Sequence, residues 1–290
     1  MIQISTSTKK RLAFKIFCAC LLLFIALIIP AFIMQNYPIF ENPNYNHIVK
    51  ATAVGLIVLI GVWLFRSKLD KGVPHKIGLT NPNTALKNLL LGVGLIAIPL
   101  ILTLIVSSIF GWATFSVNTN STIIVSLLLG LISTLFTDAL SEELIFRGYI
   151  YSNLKEHYST WKSATITLII FVVAPLLLIT LQNRLNIVGA VALTGGYVIN
   201  MILFGAFMQY LRVVFKSIWI GVGFHLVFVH MNQLMGTSTD KLLQFSEDSN
   251  QQSVQITLII LLFITFLCLI LYPILKRRKE KRLALKISQK

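Results

Sequence analysis

Long apolar stretches alternate with short polar segments along almost the whole chain. A helix needs about 20 consecutive apolar residues to cross the hydrocarbon core of a bilayer. Eight stretches approach or reach that length, with boundaries defined to within a few residues. They lie at about 12–34, 49–65, 88–110, 122–146, 164–181, 187–210, 217–235 and 255–275. The pattern predicts an all-α membrane protein with about eight transmembrane helices.

The composition agrees with this interpretation. Hydrophobic residues make up 56% of the 290-residue chain and charged residues only 12%, which is about half the share usual in soluble domains. The three cysteines, Cys18, Cys20 and Cys268, all lie within apolar stretches. An odd number of cysteines in such positions argues against a disulfide framework, and no CxxC metal signature is present.

The positions of the basic residues indicate which partner they have and how the chain is oriented. The net charge is +15, but most lysines and arginines lie in short runs beside apolar stretches, as in the segment 276–282. We therefore expect membrane lipid as their partner and no nucleic acid. With eight spans, one side of the membrane receives only Lys50, Arg184 and Lys241, and the remaining 22 of the 25 basic residues belong to the other side. This asymmetry predicts that both termini are cytoplasmic.

A short run of ionisable residues at the end of the fourth apolar stretch is the strongest candidate for chemistry. It contains Glu142, Glu143 and Arg147. Charged side chains at membrane depth cost about 2.5–3.5 kcal/mol each, so they usually face the protein interior and mark function. On a helix Glu143 and Arg147 are four residues apart and can pair, whereas Glu142 points about 100° away from Glu143. The spacing predicts one paired and one free carboxylate.

A third acid lies close to the free carboxylate. Asp138 is four residues before Glu142 and shares its helix face, which suits a general base or two acids that share a proton. A structural interpretation stays open beside the functional one. In it, Glu143 and Arg147 only clamp two helices together, and Glu142 faces a wet crevice.

The seventh apolar stretch supplies the remaining candidates, His225, His230 and Asn232. The two histidines diverge by about 140° on a helix, so they are poor joint ligands for one metal ion. His225 is expected at a depth similar to that of Glu142, and Gly221 and Gly223 allow a close approach of helices beside it. His230 is interpreted first as an interhelical hydrogen-bonding residue, with an auxiliary role in the site as the alternative.

The motif Glu142-Glu143-x-x-x-Arg147 followed by Gly148-Tyr149 resembles the first motif of the CPBP family. These are the CAAX-processing and bacteriocin-processing intramembrane proteases, also called the Abi family. The resemblance covers roughly residues 120–235. Further matching positions are Trp161, Ala164 and the segment Ser217-Ile218-Trp219.

The resemblance implies roles for the candidate residues. Glu142 would activate a water molecule, and Glu143 and Arg147 would fix the helix and orient the site. In the family a second motif, Phe-x-x-x-His, helps to hold the water, and a third, His-x-x-x-Asn, donates to the oxyanion. His225 matches the histidine of the third motif. This glutamate-and-water mechanism implies no cofactor and no metal ion.

The chain departs from the family pattern at two positions. Aligned on Phe171, the second-motif histidine falls on Pro175, and aligned on His225, the third-motif asparagine falls on Val229. A missing oxyanion donor typically costs ~10²–10³ in rate. A missing acid–base partner costs ~10²–10⁴. Asp138 and the two auxiliary residues of the seventh stretch are the candidates for replacing these groups.

The resemblance also divides the chain into regions. These are N-terminal transmembrane helices at 1–110, a CPBP/Abi-like core at 120–235, and the last transmembrane helix with a basic cytoplasmic tail at 250–290. We expect an intramembrane endopeptidase that cuts a peptide or membrane protein near the cytoplasmic interface. The alternative is a catalytically inactive member that acts as a membrane regulator or a bacteriocin-immunity-type binding protein. A transporter is disfavoured because no internal repeat is visible. Basic composition and family habit indicate a multi-pass protein of a cell membrane, specifically a bacterial plasma membrane.

Overall fold

The computed structural model describes residues 5–70, 77–186, 192–238, 241–246 and 248–288, without the side chains of Pro43, Asn232, Gln233 and 272–288. Eight helices form most of this described chain. They are α1 Thr6–Asn36, α2 Pro43–Leu64, α3 Pro82–Ile109, α4 Ser121–His157, α5 Thr160–Arg184, α6 Gly195–Phe215, α7 Trp219–Leu234 and α8 Gln251–Ser288. Seven are long and apolar enough to cross a membrane, and α7 is a shorter apolar helix. The predicted all-α, multi-pass membrane architecture is confirmed.

Polar residues just before the helices determine where several of them begin. Each accepts a hydrogen bond from a backbone N–H of the first turn and so satisfies a donor that the helix start leaves unpaired. These caps are Ser5, Asn42, Asn120, Ser159 and Thr194. The last of them explains a difference from the apolar pattern. The pattern placed the start of the sixth helix near 187, whereas α6 begins at Gly195, directly after its cap.

The chain divides into two units. The first comprises Met1–Val93 and Thr119–Leu234, and the second comprises Gly94–Asn118 and Met235–Lys290. The second unit contains a small sheet of three strands, β1 Phe115–Val117, β2 Met235–Gly236 and β3 Leu243–Phe245. Strand β3 lies in the centre, antiparallel to β1 and parallel to β2. The apolar pattern did not predict these strands because two or three residues are too few for an alternating pattern to be recognised.

The first unit contains the helices that carry the candidate residues, and its core lies where α1, α2, α4 and α5 meet. The core includes Leu23, Val58, Phe146 and Phe171, each at most 3% exposed. The helices also approach one another at small residues. A Cβ on Gly61 would lie 2.4 Å from the side chain of Leu22, so α1 and α2 pack closely there.

Two glycines also let α3 and α7 cross at backbone contact distance. A Cβ on Gly92 would lie 2.0 Å from the carbonyl oxygen of Ile220, and one on Gly223 would lie 2.1 Å from that of Leu89. No other residue fits at either position without separating the helices. Gly223 lies two residues before His225, so this crossing fixes the position of α7 close to that histidine.

A buried polar cluster joins α1, α4 and Asp70, which follows the π-helical extension Phe65–Leu69 of α2. The ammonium group of Lys15 lies 2.6 Å from the Asp70 carboxylate and donates to Asn153 Oδ1 at 2.9 Å. The Tyr149 hydroxyl donates to the same Asp70 oxygen at 3.4 Å. The side chains of Lys15 and Asp70 are only 11% and 2% exposed. The cluster therefore anchors the end of the Glu142–Tyr149 motif to the two N-terminal helices.

Candidate active site

Helix α4 contains two turns that are wider than those of an α-helix. In Leu135–Ala139 and in Glu143–Ile150 the backbone hydrogen bonds span five residues, as from the Tyr151 N–H to the Phe146 carbonyl. Such π-helical turns are rare and occur frequently at functional sites. Asp138 lies in the first turn, and Glu143 and Arg147 lie in the second. All three acids and the arginine thus belong to one locally distorted stretch.

Glu143 and Arg147 form a buried ion pair, as their spacing predicts. Arg147 Nη1 donates to Glu143 Oε1 at 2.9 Å, and both side chains are 1% exposed. The guanidinium group also donates to the carbonyl of Gly205 in α6 at 3.4 Å and stacks 3.9 Å above the centroid of the Phe171 ring in α5. One arginine therefore connects α4 to α5 and α6.

A second arginine holds the backbone of the same turn. Arg212 Nε donates to the carbonyl oxygen of Arg147 at 2.9 Å. A widened turn leaves carbonyl groups available to donors outside the helix, and a buried carbonyl needs such a partner. Arg212 was not singled out from the sequence. The sequence feature that could have indicated Arg212 is its position as a basic residue in the last turn of an apolar stretch.

The Glu143 carboxylate also faces α7. Its Oε1 lies 3.5 Å from His225 Nδ1, and a Cβ on Gly221 would lie 2.6 Å from its Oε2. Glycine at 221 therefore makes room for this carboxylate. The sequence assigned only Arg147 as a partner of Glu143. The sequence did not predict the contact with His225, because it depends on how α4 and α7 pack against each other.

Glu142 differs from its neighbour. It is half-buried and makes no hydrogen bond or ion pair with any described residue. It lies close enough to His225, Asp138 and Arg147 to interact with them electrostatically. The expectation of one paired and one free carboxylate thus agrees with the geometry of the described side chains.

Asp138 and two residues not singled out from the sequence surround this free carboxylate. Asp138 interacts electrostatically with His225 and with Lys50 of α2. Tyr197, half-buried near the start of α6, lies within electrostatic range of Glu142. An isolated tyrosine or lysine gives no sequence signal for such a position, since both reach the site through helix packing.

The positions that depart from the family pattern carry no donor. Pro175 lies within α5, one turn beyond Phe171, and the helix continues through it. Val229 lies one turn beyond His225 in α7. The Phe204 ring lies 4.8 Å from the imidazole of His225 in an edge-on arrangement. An aromatic surface therefore covers one side of the histidine.

The two auxiliary candidates of α7 are not brought to Glu142 by any described contact. His230 is 2% exposed and lies against the backbone of Leu127. Leu127 precedes Glu142 by 15 residues, or roughly 22 Å along a helix. Asn232 lies within α7, but its side chain is outside the described residues. Among the residues described, no group of three or more His, Cys, Asp or Glu side chains is arranged to hold a metal ion.

Comparison with known proteins adds one match. A family model described as type II CAAX prenyl endopeptidase Rce1-like matches residues 124–231. No curated protein and no solved structure matches the chain. The matched range begins within α4 and ends within α7, so it contains the ion pair, the free carboxylate and His225. Over this part of the chain, the match supports the resemblance of the Glu142–Tyr149 motif to the CPBP family of CAAX-type membrane proteases.

Proposed function

We propose that this protein is an intramembrane endopeptidase in which Glu142 activates the attacking water. The observation that supports the proposal is that this carboxylate has no partner among the described residues in its half-buried position. It is half-buried, close to His225, and without a hydrogen bond or ion pair to any described residue. An unpaired acid at membrane depth is costly to maintain, and proton transfer is the chemistry that makes use of it.

In the proposed reaction Glu142 accepts a proton from a water molecule as the water oxygen attacks the peptide carbonyl carbon. The carbonyl oxygen becomes an oxyanion, and His225 donates a hydrogen bond to it. Collapse of the tetrahedral intermediate breaks the C–N bond. The proton held by Glu142 passes to the leaving nitrogen, which releases a carboxylic acid and an amine and restores the ionised Glu142.

Glu143 and Arg147 act as positioning residues in this proposal. Their ion pair is fully buried, and its contacts with Gly205, Phe171 and His225 connect four helices. Neither group has the solvent access that a proton-transfer role requires. Their function is to hold the wide turn of α4 and the imidazole of His225 in fixed positions.

The site has fewer donors than the family pattern provides, and other residues of this chain fill part of the gap. Asp138 interacts electrostatically with His225, and we propose that its charge favours the position of the imidazole. The hydroxyl of Tyr197, which lies within electrostatic range of Glu142, is our candidate for the donor that Val229 lacks. His230 and Asn232 have no proposed part in the reaction, since nothing in the described chain brings them to Glu142.

We propose a C-a-a-X-type peptide as substrate, because the matching family model describes prenyl endopeptidases of this class. The excess of basic residues on one side supports cytoplasmic termini, with cleavage near the cytoplasmic interface of a bacterial plasma membrane. The proposed regions are membrane helices at 1–110, the catalytic core at 120–235, and a final helix with a basic tail at 250–290.

The test is cleavage of two synthetic peptides by the purified protein in lipid vesicles, with products identified by mass spectrometry. One peptide carries a farnesylated cysteine followed by three residues, and the other is identical but unmodified. Glu142→Gln preserves shape and removes the base, so we expect at least a ~10²-fold loss of rate. Glu156→Gln, an exposed position on the same helix, is the matched control. Full activity of the Glu142→Gln protein would refute the proposed role.

A second function is favoured by one specific observation. Positions 175 and 229 carry proline and valine, and the ring of Phe204 covers one side of His225. These features suit a family member that has kept the helical core and binds a partner without cleaving it, as a membrane regulator or bacteriocin-immunity-type protein. Wild-type protein that binds the test peptides but cleaves neither, with an unchanged cellular phenotype in the Glu142→Gln strain, would favour this function.

A further inference from the structure

A cavity of about 140 Å³ lies between α5 and α6, beside the proposed active site but outside its chemistry. Four residues from each helix line it, and none of them is charged. The lining residues are Trp161, Ala164, Thr165, Leu168, Ala206, Gln209, Tyr210 and Val213. A neutral cavity of this kind suits an uncharged ligand, with Leu168 and Val213 forming apolar walls.

Gln209 is the exceptional residue of this lining. Its side chain is 97% buried, since only 3% of the residue is exposed. Both its amide nitrogen and its amide oxygen are buried without a hydrogen-bond partner among the described residues. Buried polar groups are nearly always paired, because an unpaired group has lost its hydrogen bonds to water without gaining one in the protein. The side chain therefore holds an unpaired donor and an unpaired acceptor at the wall of the cavity.

Standard helix dimensions give an approximate distance from Gln209 to Glu142. Gly205 and Arg212 both bond to Arg147, so Gln209, which lies between them on α6, is level with Arg147. Arg147 follows Glu142 by five residues, or about 7.5 Å along the helix. Neighbouring helix axes are about 8–10 Å apart. The two components give a separation of about 12 Å, which about four extended residues cover.

We infer that this cavity binds a backbone amide of the peptide substrate, about four residues before the cleaved bond. An amide offers one acceptor and one donor, which match the N–H and C=O groups of Gln209. Acyl chains and ester groups of lipids have no donor and would leave the side-chain oxygen unpaired. Only three residues follow the cysteine of a C-a-a-X peptide, so the upstream segment is the one that reaches the cavity. The inference rests on the proposed function, because it assumes a peptide at Glu142.

The experiment measures binding separately from cleavage. Fluorescent farnesylated C-a-a-X peptides with either two or eight residues before the cysteine are titrated against the Glu142→Gln protein in detergent micelles. Gln209→Leu is added to this background to remove both hydrogen-bonding groups at similar volume. Leu203→Ala, an exposed position on the same helix, is the matched control. We expect Gln209→Leu to weaken binding of the long peptide about 10-fold and to leave the short peptide unchanged.

A second readout distinguishes this role from a structural one. If Gln209 serves a ligand, Gln209→Leu removes unpaired buried groups and raises the unfolding temperature of the peptide-free protein. A Gln209 that stabilises the fold would give the opposite change. Equal binding of the long peptide with and without the substitution, or no binding at all, overturns the inference. Peptide that binds to the wild-type protein and depends on Gln209, but is not cleaved, overturns only the proposed function.

Discussion

Replacing Arg147 by methionine tests whether the ion pair with Glu143 holds the site together. The substitution keeps much of the apolar length of the side chain and removes its charge. It leaves a carboxylate that is 1% exposed without its cationic partner. Loss of one partner from a buried pair typically costs about 3–5 kcal/mol, and loss of stacking on Phe171 adds about 1 kcal/mol. We therefore expect Arg147→Met to lower the free energy of unfolding by about 5 kcal/mol.

The double variant Glu143→Gln/Arg147→Met makes the prediction specific to the pair. Removing both charges leaves no unpaired ion, so the double variant should recover at least about 2 kcal/mol relative to Arg147→Met. The measurement is denaturant-induced unfolding of the purified proteins in detergent micelles. Arg184→Met, at the exposed end of α5, is the control and should change stability by less than about 0.5 kcal/mol. If the double variant is less stable than Arg147→Met alone, the buried pair is not coupled and the reasoning fails.

Two further substitutions test other parts of the same framework. Lys15→Met leaves the Asp70 carboxylate, 2% exposed, without its cation, and we expect a loss of about 3–5 kcal/mol in the same unfolding assay; a change below about 1 kcal/mol would contradict this. Gly221→Ala places a methyl group 2.6 Å from Glu143 Oε2, so we expect at least a ~10-fold lower cleavage rate of the C-a-a-X peptide, measured by mass spectrometry. The control is Gly94→Ala, where the nearest contact is at 3.9 Å, and equal rates for the two variants would remove the role given to Gly221.

The local part of the candidate site was predictable because it depends on residues of one helix. A separation of four residues brings Glu143 and Arg147 together in any helical turn, and the structure has this pair at 2.9 Å. The lack of a partner for Glu142 on its own helix followed from the same geometry. Glycine at 221 was also expected to allow close approach, although the sequence did not show that it makes room for the Glu143 carboxylate.

The long-range part of the site was not predictable from spacing. His225 was placed at the depth of Glu142, but only packing of α7 against α4 sets its Nδ1 at 3.5 Å from Glu143. Tyr197 and Gln209 belong to α6, whose start was misplaced because Thr194 caps the helix at Gly195. Isolated polar residues in an apolar stretch give no pattern from which such contacts follow.

The sequence by itself determined the membrane class, the number of helices and the acidic motif, because apolar length and i, i+4 spacing are properties of single segments. The tertiary structure decided which groups meet: Lys15 with Asp70, Arg147 with Gly205, and His225 with Glu143. It also determined that Glu142 has no partner among the described residues and that Gln209 is buried beside a cavity. These contacts join residues that are 55 to 82 positions apart in the chain. Only the packing of the helices against one another brings them together.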